Sequence, residues 1–171
     1  MFYKEKMRNI PPTGVKWLKA AHLLFACLWV GGALSVFFIQ AVLRAQGAEL
    51  YGMDLAAKLA DDLVIIPGAL GCLLTGLAYS LFTPWGFFRH RWVAVKWGIT
   101  VFGVLFGTFF LGPWLNSLAP VSKELGFAAL GDYGYMRARD LNMVWGGVQT
   151  ATLIFAVFIS VLKPWRSGQE G

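Results

Sequence analysis

Charge is scarce in this chain. Asp, Glu, Lys and Arg supply 14% of its 171 residues, while 57% are hydrophobic and mean hydropathy is +0.59. Ordinary soluble domains carry about 25% charge. The composition excludes a disordered chain and argues against an ordinary soluble domain. Cysteine is nearly as scarce, with Cys27 and Cys72 set in apolar runs and no CxxC spacing. That excludes a disulfide framework and a zinc ribbon, and both residues read as small buried side chains. Histidine is limited to His22 and His90. With no second His inside an apolar run, two histidines from one chain cannot share a haem. There is no phosphate-binding GxxxxGK loop, no GxSxG elbow, no HExxH pair and no Met cluster suited to soft copper. No repeat at solenoid spacing occurs. No catalytic residue can be assigned from the sequence.

Long apolar runs are abundant. Four segments, about 17–40, 62–82, 92–115 and 141–162, each have the roughly 20 residues needed to cross a bilayer. They do not alternate as barrel strands would, and backbone in lipid must satisfy its own hydrogen bonds. The predicted fold is therefore all-α: a transmembrane four-helix bundle, one membrane domain over residues 1–171. The basic leader before the first run resembles a signal peptide, but the run is too long and lacks a convincing cleavage site, so it reads as a retained span.

Charge distribution predicts orientation. Lys4, Lys6, Arg8, Lys16, Lys19, Arg89, Arg91, Lys96, Lys163 and Arg166 face only Glu5 and Glu170 on one side. The other side carries Arg44, Lys58, Lys123, Arg137 and Arg139 against Glu49, Asp54, Asp61, Asp62, Glu124, Asp132 and Asp140. The positive-inside rule then places both termini in the cytoplasm, as in a multi-pass membrane protein. The net charge of +6 is thereby explained by topology, and no nucleic-acid partner is needed. Trp17, Trp85, Trp92 and Trp165 fall where an inner aromatic belt belongs, Trp114 and Trp145 near an outer one. Residues 44–60 look helical and extend the second span. Residues 116–139, with Pro120 and several glycines, read as a capping loop with short helical pieces.

Small residues mark where helices approach. Gly68, Cys72, Gly76 and Ser80 form one ridge on the second span. Gly103 with Gly107, Gly146 with Thr150, and Gly31 with Gly32 give the other spans a tight face. Pro67 should kink or loosen the second span. Homodimers through such faces, or docking into a larger membrane complex, stay open.

Ionisable groups inside a span are functional candidates. His22 and Lys96 lie at similar depth in spans that start on the same side. His22 reads either as a histidine bonded to a carbonyl or Thr, or as a metal or haem ligand. Lys96 reads either as a snorkelling side chain or as a desolvated amine able to bind a haem iron or a carboxylate. His90, between Arg89 and Arg91, suits solvent, lipid headgroups or propionates. Gln149, with Thr152 and Ser160, suggests a bridging hydrogen bond. Asp61 and Asp62 read as caps at the start of the second span. Arg137 and Arg139 could pair with those carboxylates or with a ligand.

The run Trp17-Leu18-Lys19-Ala20-Ala21-His22, then Trp29-Val30-Gly31-Gly32, resembles the first span of the CopD/HemJ-like membrane proteins and an adjacent uncharacterised four-span bacterial family. Trp92 with Lys96 is similar to the Trp-x-x-x-Lys pattern opening a later span. Where HemJ-like proteins carry an Arg and often a second His late in the first span, this chain reads Phe37-Phe38-Ile39-Gln40-Ala41-Val42-Leu43-Arg44. The resemblance implies a b-type haem held at His22 and Lys96 and a redox role related to porphyrin metabolism. Its CopD side implies copper handling with His22 as the metal ligand. The alternatives are a non-catalytic accessory subunit, or a copper or small-solute transporter. Scarce intramembrane carboxylates weigh against proton coupling.

Overall fold

Pro12 opens the first helix, α1 (Pro12–Val42), where its missing N–H costs nothing. The computed structural model describes residues 10–42, 49–83, 86–88 and 90–162. Lys4, Glu5, Lys6, Arg8, Arg44, Trp85, Arg89, Lys163, Trp165, Arg166 and Glu170 lie outside the described residues.

All regular structure among the described residues is helical. After α1 come α2 (Leu50–Ala60), a π-helical turn (Asp61–Ile65) and α3 (Ile66–Phe82), continuous as one rod. Then follow α4 (Arg91–Phe106), a second π turn (Gly107–Leu111), α5 (Gly112–Asn116), α6 (Leu118–Leu125), a short 3₁₀ segment (Gly126–Gly131) and α7 (Tyr133–Leu162). Four helices are long and apolar enough to cross a membrane. A 30-residue helix such as α7 is about 45 Å long, more than the roughly 30 Å of a hydrocarbon core. Large apolar side chains point outward along them, with Leu63 70% and Phe109 67% exposed. In water such a surface would be an aggregation hazard; in a bilayer it is the lipid face. The protein is an integral membrane helix bundle.

Helix ends run past the apolar runs. α7 begins at Tyr133, two turns before the expected 141, because Asp132 caps it: the Tyr135 amide donates to Asp132 Oδ1 at 2.7 Å. The expected capping loop is thus mostly helix. Gly126, at φ 55°, supplies the left-handed residue that ends α6.

Both π turns sit just before a proline. Pro67 and Pro113 each lack an N–H and press on the carbonyl four residues back. The chain answers with a wider turn, in which the Ile66 amide bonds to Asp61 O and the Gly112 amide to Gly107 O. The expected loosening at Pro67 takes this form, and Pro113 repeats it in the third span.

Neighbouring spans are antiparallel. Along α1 and α3, Tyr79 meets Val15, Thr75 meets His22, Gly71 meets Phe25 and Gly68 meets Trp29. A Cβ on Gly68 would come within 2.7 Å of the Trp29 amide nitrogen, so only glycine permits this approach. Gly147 against Phe37 joins α7 to α1, and Trp97 donating to Ser80 Oγ joins α4 to α3. The four spans form a ring in which α1 and α4 are diagonal and parallel. The second-span ridge is therefore split: Gly68, Cys72 and Gly76 face α1, while Ser80 faces α4. Gly32 packs on Val64 and Ile65, but Gly31 meets nothing. At the end away from the termini, α2, α5, α6 and α7 enclose a second core around Ala57, Leu115, Leu118 and Tyr135.

Candidate functional site

The contact between α1 and α3 places His22 against a row of polar groups. His22 Nδ1 lies 2.8 Å from Thr75 Oγ1 and 4.0 Å from Cys72 Sγ, and its ring meets Tyr79 edge-on. Thr75 has one hydroxyl hydrogen, and it goes to the Gly71 carbonyl at 2.6 Å. With the hydrogen there, the Thr75 oxygen accepts from His22 Nδ1, the arrangement that leaves the lone pair on Nε2.

Lys96 approaches from α4. Its ammonium stands 5.8 Å from the centre of the Trp92 ring. The register sets its depth. Trp29, only 3% exposed, reaches across the diagonal so that its indole would lie 3.3 Å from a Cβ on Gly103. His22 precedes Trp29 by seven residues, and Lys96 precedes Gly103 by seven. In parallel helices that is the same face two turns, about 10 Å, nearer the termini. His22 and Lys96 occupy one layer of the bundle, and Trp29 with Gly103 occupies the next.

The donor set is an imidazole nitrogen with its lone pair exposed by a hydrogen-bonded partner, plus an amine from the diagonal helix. Both are nitrogen donors that an iron porphyrin accepts as axial ligands, and a fixed Nδ1–H is how metal-binding histidines are usually oriented. By donor type these residues suit a haem iron. They fit a bare metal cage less well, since no three His, Cys, Asp or Glu converge among the described residues.

A second polar cluster lies toward the opposite end. Tyr135 donates to Asp54 Oδ2 at 2.9 Å and accepts from Arg139 at 3.3 Å. Arg139 also donates to the Gln40 carbonyl and is 2% exposed. Gln40 donates to Asn142 Oδ1, and Asn142 donates to the Leu111 carbonyl. This network ties α1, α2, the third span and α7 together.

Several expectations are corrected. Asp61 and Asp62 are not caps, because the helix begins at Leu50 and no free amides remain beside them. Asp62 instead pairs with Lys58 at 2.6 Å, and Asp61 lines a cavity. Arg139 joins Tyr135 and Gln40 rather than either carboxylate, and Arg137 is exposed. Cys27 is exposed on the apolar face of α1, whereas Cys72 is buried as expected; both are free thiols. Gln149 makes no bridge through its Oε1, which is buried without a partner. Thr152 and Ser160 bond to their own helix carbonyls. His90 precedes α4, with its carbonyl accepting the Val93 and Ala94 amides and its ring stacked on Trp92.

Thr75, Tyr79, Asp54, Tyr135 and Asn142 escaped the reading of the sequence. A Thr partner is one of the two readings of His22, and Thr75 supplies it; which Thr is not legible in the sequence, since a helical Thr commonly bonds its own preceding turn. Asn142, an uncharged polar residue at the edge of an apolar run, could have been found. No family model, curated protein or solved structure matches the chain.

Proposed function

We propose that the chain is a haem-binding redox protein of the membrane, in which His22 would hold the iron through Nε2 and Lys96 would be a second donor to it or would pair with a propionate. The observation that carries this reading is the shared layer: His22 and Lys96 arrive from diagonal helices at one level, and Thr75 holds the His22 proton on Nδ1. The resemblance to CopD/HemJ-like proteins supports the same pair and links the redox role to porphyrin metabolism. The charge asymmetry supports both termini in the cytoplasm, and the resemblance supports a bacterial inner membrane.

Bound haem would supply one-electron chemistry. The chain's own residues do the rest. Thr75 aims the imidazole, Trp29 closes the diagonal above the layer, and the apolar faces of the helices exclude water. A lysine acting as ligand must be neutral, whereas one paired with a propionate keeps its charge, and the two roles give different spectra.

Protein expressed with ample haem and purified in detergent tests the reading. His22→Ala should lose haem while eluting as the same monodisperse species. Lys96→Leu should change a low-spin spectrum to high-spin if Lys96 ligates, and weaken retention without a spin change if it pairs with a propionate. Full haem content in His22→Ala would overturn the proposal.

A further inference from the structure

On the far side of Trp29 from His22, the four spans border a partly open cavity of about 400 Å³. At about 30 Å³ each, roughly a dozen waters would fill it. Much of its wall is apolar, including Trp29, Phe37, Ile65 and Leu111, and the two π turns both border it. Among the polar groups in the wall are Gln40, Gln149 and Asp61. Pockets for small organic molecules have this make-up, an apolar wall with a few placed polar groups.

The polar groups have a definite sign. The Leu111 carbonyl can only accept, so the atom of Asn142 that faces it at 2.9 Å is Nδ2. Asn142 Oδ1 therefore faces Gln40 at 2.8 Å, and Gln40 must donate to it through Nε2. That leaves Gln40 Oε1 as an acceptor with nothing to accept, on a side chain only 3% exposed. Gln149 Oε1 is also buried without a partner, although no hydrogen bond among the described residues fixes that amide's orientation, so the sign of the site rests on Gln40. Asp61 adds a carboxylate, again an acceptor. Buried acceptors without donors are rare in folded proteins and are costly to leave so.

We infer that this cavity binds a lipid-soluble molecule whose polar end is a hydrogen-bond donor, a hydroxyl or an N–H, directed at Gln40 Oε1, with the Gln149 amide beside it. The apolar body lies against Trp29, Phe37 and Leu111. The inference does not depend on haem at His22.

Three probes that differ only at the polar end test it: 4-heptylphenol, 4-heptylanisole and heptylbenzene, each titrated calorimetrically into the full chain in lipid nanodiscs, with empty discs subtracted. The expected result is one saturable site per chain that prefers the phenol over both other probes by about tenfold or more. Gln40→Leu should lower phenol affinity to that of the anisole and leave the anisole unchanged. Equal affinities for the three probes in the unsubstituted chain, or no saturable phenol site, would overturn the inference. So would a phenol preference that survives in Gln40→Leu. If Gln40→Leu does not fold, the comparison in the unsubstituted chain decides by itself.

Discussion

Thr75 Oγ1 lies 2.8 Å from His22 Nδ1 and spends its own hydrogen on the Gly71 carbonyl. A neutral hydroxyl thereby sets the tautomer of the one histidine inside a span, and so decides which nitrogen is offered to a ligand.

Thr75→Val keeps the shape of the side chain and removes the acceptor. Haem retention should fall by about 10–100-fold, as when other partners of metal-ligating histidines are removed. Thr75→Ser should retain nearly all of it. Titration of the apoprotein with hemin, followed at the Soret band, measures both.

The approach of α3 to α1 depends on Gly68. A Cβ there would collide with Trp29 backbone, which cannot give way as a side chain can. Gly68→Ala should destabilise by about 1–3 kcal/mol, the usual range for overpacking. Gly31→Ala meets nothing and should be neutral, or stabilising by up to about 1 kcal/mol through helix propensity. Thermal unfolding in detergent separates the two.

The Asp54–Tyr135–Arg139 chain is buried, so its members depend on one another. Arg139→Leu removes the guanidinium that bonds Tyr135 Oη and the Gln40 carbonyl, and should cost about 1–3 kcal/mol. Tyr135→Phe removes one bond to Asp54 and should cost about 1–3 kcal/mol. Because Asp54 and Arg139 meet through the Tyr135 hydroxyl, Arg139→Leu combined with Tyr135→Phe should cost less than the sum of the two single losses. A double-mutant cycle on unfolding free energies checks the difference.

Cys27 and Cys72 should differ in reactivity. In detergent, N-ethylmaleimide should modify one thiol per chain, and Cys27→Ser should abolish that reaction. Cys72, packed with Trp29, Ala69 and Leu153, should react only after unfolding. Mass spectrometry reads the count.

Much of the architecture was legible because lipid leaves few choices: a long apolar run must be helical. The ends were less legible, because apolar runs stop where charge begins, whereas a helix stops where its caps are. Asp132 starts α7 outside its apolar run, and Leu50 starts a rod that carries Asp61 and Asp62 past any cap position. Depth counting placed His22 and Lys96 at one level. It could not place Thr75, whose bond to its own helix looks the same in sequence whether or not a histidine sits on the other side. Nor could it show that Gln40 and Asn142, a hundred residues apart, share a hydrogen bond that leaves an acceptor unused.

The absorption spectrum of the purified chain, oxidised and then reduced with dithionite, tests the central claim most directly. With haem held between His22 and Lys96, a Soret band should be present, and α and β bands should sharpen on reduction. A flat visible spectrum from fully folded protein, expressed with ample haem and unchanged after addition of hemin, would contradict it.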